Sequence, residues 1–517
     1  MSKYLLLALW VILSATSCVH ADDWLTYYER SDYLETPRYN QTIDYCKKLA
    51  DHSDILTYTT FGTSPQLRAL PLLILDKDGE FDPTGTKTSG KAILLYQAGI
   101  HPGEIEGKDA GLMFLRDIVV HGKYMDMLDS VIVLFIPIFS VDGHERFGPY
   151  NRINQNGPKE MGWRVTSQNL NLNRDFLKAD APEMRSWLKF YTRWLPDFSV
   201  DLHTTNGADY QYVITYAIEA NTNVAPALAD WTTNEFVPAI TNRMENAGYP
   251  FIRYIVPRKR YDITSGLITW TGSPRYSNGY GAVQNRPFML IETHMLKSHK
   301  QRVESVYALM TELTAYVNEN AAALKEAVHL ADQQTATDLA GSYYPLRFQR
   351  TDDSFMIDFL GVDFHFEPSD ISGTDRVIWG SEKKTYRIPF FYNNVPSDSV
   401  LMPYAYLIPP EWQQHLHIAQ LHGVRIDYLA RQTEVEVETY RLKDPKWKTD
   451  SYEGRHQLKV TVETSIEKKS FPIGTAVIKV NQRTNRLIAH LLEPKGPDSF
   501  ISWGFFDAVT ERKEYAD

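Results

Sequence analysis

Four nearly continuous apolar runs constrain this chain more than anything else in it: Lys91–Ile100 (KAILLYQAGI), Ser130–Phe139 (SVIVLFIPIF), Phe198–His203 (FSVDLH) and Pro287–Glu292 (PFMLIE). A strand covered on one face alternates apolar with polar residues; these scarcely alternate, as expected of strands buried on both faces. Between them the pattern turns helical, over Ile105–His121, Ala181–Trp194, Ala225–Asn246 and Ser298–Asp332. The expected fold is α/β, a mixed, mostly parallel sheet flanked by helices over residues 22–335. Beyond about Gly341 the runs shorten (Phe355–Phe364, Arg425–Leu429, Gln457–Glu463) and lie between Asp, Ser, Gly and Asn turns. They predict a mainly β C-terminal region over residues 341–517.

In an open α/β sheet, ligand sites form beyond the carboxyl ends of strands. The first run closes into Gly99-Ile100-His101-Pro102-Gly103-Glu104, the third ends at His203 and the fourth at Glu292. Three strands thus deliver two imidazoles and two carboxylates to one crevice, and burial of the strands holds them rigidly. His-x-x-Glu puts two ligand types within reach of one ion, and catalytic zinc takes three such ligands and keeps a position open. Asn173-Arg174 sets an amide beside a guanidinium, a pair suited to gripping a carboxylate. Arg164, in Gly162-Trp163-Arg164, is a further cation able to stabilise a developing oxyanion.

In His101-Pro102-Gly103-Glu104, Asp142-Gly143, Asn173-Arg174, His203 and Glu292, taken in that order over about residues 40–325, the chain resembles the zinc carboxypeptidases of the carboxypeptidase A-like metallopeptidase family. The resemblance implies one zinc ion per chain held by His101, Glu104 and His203. It implies Glu292 as general base and acid for the attacking water, and Arg164 as the group polarising the scissile carbonyl. Asn173 and Arg174 would bind the terminal carboxylate of a peptide or muropeptide substrate. Two places depart from the family pattern. Asn171 stands where an Asp usually supports a ligand histidine; an amide orients His101 but raises its basicity less. The mobile tyrosine of the family falls near Trp270, which leaves Tyr276, Tyr280 or neither. The loop Thr269–Tyr280 resembles the side-chain pocket in position, and Arg275 within it suggests substrate binding with a preference for acidic or polar terminal residues.

The tail Leu492-Glu493-Pro494…Pro497-Asp498-Ser499…Trp503-Gly504-Phe505-Phe506 resembles that of bacterial exported members with a β-rich extension. Export is also read at the N-terminus. Lys3, the short apolar run Tyr4–Ala15 and Val19-His20-Ala21 form a signal peptide over residues 1–21. An alternative reading makes it a lipoprotein signal with Cys18 lipidated, the one membrane attachment expected. The destination is secreted or periplasmic. A formal charge of −10 argues against a nucleic-acid partner. Two cysteines, Cys18 and Cys46, exclude a disulfide scaffold and a Cys₄ zinc site. The same motifs fit a zinc amidase or deacylase acting on peptidoglycan peptides or N-acyl amino acids; a third reading, a binding module that keeps an inactive enzyme scaffold, is opposed by the full ligand set and Glu292.

Overall fold

The computed structural model describes residues 21–259 and 262–514. Apart from Ala21, the proposed signal peptide and Cys18 lie outside the described residues.

The chain enters the sheet through an antiparallel pair, β1 (Leu56–Thr63) and β2 (Ala69–Leu75). β3 (Ala92–Ala98), β4 (Val131–Ile136) and β5 (Phe198–Thr205) follow, all three mutually parallel. β6 (Ile214–Ala217) and β7 (Phe251–Arg253) form one edge. β8 (Pro257–Lys259) and β9 (Asp262–Ile268) leave the sheet as a pair, and β10 (Phe288–His294) returns to it between β5 and β6. The order is β1-β2-β4-β3-β5-β10-β6-β7.

Both faces are covered, which is why the runs do not alternate. Ala92, Leu94, Tyr96 and Ala98 of β3 face a core shared with the helices Glu106–Val119 and His299–Glu319. Ile93 and Leu95 face the opposite core, built on the helix Pro182–Trp194. The helix Glu106–Val119 lies unusually close to the sheet. A Cβ at Gly107 would stand 2.6 Å from Leu202, and one at Gly111 would stand 2.1 Å from the Phe135 ring. This approach seats the turn carrying Glu104 against the end of β5.

Two expected helices are broken. Ser298–Asp332 is two helices, His299–Glu319 and Ala321–Asp338, hinged at Asn320. Ala225–Asn246 passes through one π turn, Thr232–Phe236, just before Pro238, which has no N–H to give the preceding turn.

The C-terminal region is mainly β. β11 (Tyr343–Arg350) pairs with β14 (Asn394–Leu401), around the long hairpin β12 (Ser354–Pro368) and β13 (Asp375–Phe391). β15 (Ala405–Ile408) and β16 (Asp427–Tyr428) flank β19 (Ala476–Lys479), while β17 (Thr433–Trp447) and β18 (Leu458–Phe471) make a second long hairpin. This region does not stand apart. Phe390 and Phe391 of β13 pair with Leu267 and Ile268 of β9. Leu416, Ile478, Leu487 and Phe500 pack in the same core as Trp187 and Phe288.

Beneath that core, Glu183 opens the helix Pro182–Trp194 fully buried, with neither carboxylate oxygen hydrogen-bonded among the described residues. Burial pushes it up to about 7, and Asp142 and Asp175 push the same way. The fold therefore favours the protonated form. The stability this group lends is intact below about pH 4.5 and is lost as pH rises through about 7, a fall of about 3 kcal/mol. Glu183→Gln removes that component. In urea titrations the variant should lose about 3 kcal/mol less than the parent between pH 5 and pH 8.

Candidate metal centre

β3, β5 and β10 run side by side and in parallel, so their carboxyl ends open into one crevice. Glu292 of β10 lies in register with His203 of β5. Glu104 is folded back toward His101 by a turn in which its N–H donates to the His101 carbonyl at 2.8 Å. His101 Nδ1 and His203 Nδ1 lie 3.3 and 3.0 Å from Glu104 Oε2, and 3.2 Å from each other.

The far nitrogens fix the tautomers. His101 Nε2 lies 3.0 Å from Asn171 Oδ1, and His203 Nε2 lies 2.7 Å from Asp201 Oδ2; both oxygens are acceptors, so each Nε2 carries the proton. Each Nδ1 is then the atom turned to the centre, beside a carboxylate oxygen. Three such atoms packed this closely call for positive charge between them, a proton on Nδ1 or a metal ion. The His₂Glu set is also the chemistry zinc prefers, so these residues fit the ion. Behind His203 the polar chain continues inward. Gln97 Nε2 donates to Asp201 Oδ1 at 2.9 Å, and Trp187 Nε1 donates to Gln97 Oε1 at 2.9 Å.

Electrostatics follow from burial and these partners. Burial lowers His101 to about 4, against the pull of Glu104. Burial works against the Glu104 carboxylate, but Arg152, His101 and the two imidazole hydrogen bonds hold it well below the usual range. His203 is raised to about 10, Asp201 and Glu104 outweighing burial. Burial raises Glu292 to about 8, with Glu104 adding to the rise and His203 opposing it. Glu292 Oε2 has no hydrogen-bond partner among the described residues.

Residues 42–247 match the family model for zinc carboxypeptidase, a span that contains His101, Glu104, Arg164, Asn173, Arg174 and His203. The carboxypeptidase 2 of Trichophyton tonsurans is 24% identical over 500 residues, covering 93% of this chain and 86% of its own. That of Trichophyton rubrum is 24% identical over 502 residues with the same coverage. This chain is a zinc metallopeptidase of the carboxypeptidase type. Among solved structures, the metallo-carboxypeptidase of Pseudomonas aeruginosa is similar with a TM-score of 0.42 and 16% identity, over 56% of this chain and 71% of that one.

Around the metal centre of this metallopeptidase the remaining candidates fall into two groups. Arg164 Nη1 donates to Glu104 Oε1 at 3.0 Å, and its side chain is 39% exposed. Asn173 Nδ2 lies 3.4 Å from His203 Nε2. Arg174 donates to the Asn173 carbonyl at 2.6 Å and lies over the Tyr276 ring at 4.5 Å. Arg275 is different. It pairs with Asp498 Oδ1 at 2.7 Å and lies over the Trp503 ring, so the C-terminal region already answers its charge. Tyr280 is fully buried, its hydroxyl 3.0 Å from His422 Nδ1, which leaves it out of the crevice.

Three groups escaped the sequence reading. Arg152 donates to Glu104 Oε1, to the Thr204 carbonyl and to Asn206, yet sits in a loop without period or motif. Asp201 did leave a signal: an acid two residues before His203 on the same face of a buried strand must find a partner. Tyr254, just past β7, bonds Thr205 Oγ1 at 3.0 Å and, like Tyr210, feels the Glu292 charge.

Proposed function

We propose that His101, Glu104 and His203 hold the zinc, that Glu292 moves the proton, and that the enzyme cleaves the last peptide bond of substrates gripped by Asn173 and Arg174. Zinc, when bound, supplies Lewis acidity that acidifies water and polarises a carbonyl. Glu292 accepts the proton of the attacking water and passes it to the departing amine. Arg164, anchored on Glu104 but partly exposed, stabilises charge growing on the carbonyl oxygen.

One observation carries the exopeptidase reading. Arg174 has no carboxylate partner among the described residues, although its neighbour Asn173 touches His203. A guanidinium unanswered beside the metal ligands, in a chain of net charge −10, is a receptor for an anionic terminus. The N-terminal signal supports action outside the cytoplasm or in a periplasm, on peptides or muropeptides. Among the described residues no helix is long and apolar enough to cross a membrane. Arg174→Ala should raise KM for a free-carboxylate peptide about 10–100-fold and change kcat far less, because the lost contact is made equally before and during reaction. Equal hydrolysis of the same peptide amidated at its C-terminus would overturn the reading in favour of an amidase.

A further inference from the structure

Residues of the C-terminal region reach the metal centre through the tip of the β17–β18 hairpin. Tyr452 and Arg455 bridge across a two-residue loop in which Glu453 and Gly454 have φ of +52° and +76°. Such left-handed loops favour Asn, Asp or Gly at the first position, and a Glu there is held against its own backbone preference. Its side chain explains the choice. Glu453 Oε2 accepts the N–H of Asn171 at 3.0 Å. The Asn171 Oδ1 atom in turn accepts from His101 Nε2 and from the Asn173 N–H, both at 3.0 Å.

The tip is firmly seated. Arg455 forks onto both oxygens of Asp180 at 2.7 Å each and donates to the Trp503 carbonyl at 3.1 Å. Tyr452 stacks on Trp503, the ring centres 6.0 Å apart and the planes 11° apart. We infer that Glu453 is a positioning residue for the metal centre: it fixes the Asn171 backbone so that the Asn171 side chain orients His101 for zinc and sets Asn173 beside His203. This rests on the ligand set proposed above, and it gives the C-terminal region a role in the chemistry of a site 282 residues away in sequence.

Glycine suits the left-handed loop better than glutamate does, so Glu453→Gly separates the carboxylate from the fold. Asparagine also suits it but is one methylene too short to reach Asn171. Zinc affinity is read by competition with a chelator on demetallated protein, alongside thermal midpoint and kcat/KM. Expected for Glu453→Gly and Glu453→Asn is zinc binding weaker by about tenfold, the low end of what loss of a ligand's supporting partner costs, with no fall in midpoint. Glu453→Gln keeps an acceptor oxygen and should bind zinc as the parent does. Unchanged zinc affinity in the Gly and Asn variants would overturn the inference, and so would a Gln variant as weak as the Gly one. A parent enzyme that binds zinc but cleaves no peptide would remove the peptidase reading while leaving the zinc titration decisive here.

Discussion

Glu292→Gln keeps zinc at one per chain and lowers kcat by about 10²–10⁴-fold, the range that a positioned proton-transfer group contributes. The glutamine is nearly isosteric and fills the same place in register with His203. It can neither take a proton from water nor give one to the departing amine. KM changes little, since the terminal carboxylate is proposed to be held elsewhere, by Asn173 and Arg174. Glu292 is not one of the three residues proposed to hold the ion, so the metal stays. Zinc analysis beside a single-turnover assay checks both halves. Near-parental turnover in a zinc-replete variant would sink the mechanism.

The second large effect lies at His203. Its imidazole is buried between two acids, with Asp201 2.7 Å from Nε2 and Glu104 3.0 Å from Nδ1. His203→Ala deletes one of the three proposed ligands and takes from Asp201 its charged partner. The expected result is loss of stoichiometric zinc after dialysis, no measurable peptide hydrolysis, and about 3–5 kcal/mol less stability from the uncompensated buried charge. Asp201→Asn is the milder companion. It keeps an acceptor for Nε2–H and the packing but gives up the carboxylate, at about 10–100-fold in zinc affinity. Retention of tight zinc by His203→Ala would move the ligand set elsewhere.

Much of the site was legible because strand ends carry it. A run buried on both faces cannot hide where it stops, and His203 and Glu292 stop two such runs that prove to be neighbours in register. The turn His101–Glu104 was legible because it is local. Groups that reach the crevice from irregular backbone were not. Arg152 lies in a loop whose arginines, at 146, 152 and 164, follow no period. Glu453 acts across 282 residues, and its only local mark is a Glu-Gly turn. Position alone makes Arg275 a pocket cation; its partner Asp498 is brought up by a part of the chain that no pattern near residue 275 foretells. The long C-terminal helix read over Ser298–Asp332 divides at Asn320, a residue that helical periodicity alone does not weight.

The docking of Arg455, Asp498 and Trp503 onto the catalytic half sets an order of events during synthesis. A chain grows from its N-terminus, and the early part folds first. The sheet and the three ligand candidates are complete by residue 294, but the segments that seat the Asn171–Arg174 loop and neutralise Arg275 are made last. Until they arrive, the Asn171 N–H lacks Glu453 as its acceptor and Asp180 lacks Arg455, so the loop carrying Asn171 and Asn173 gains its full set of contacts late.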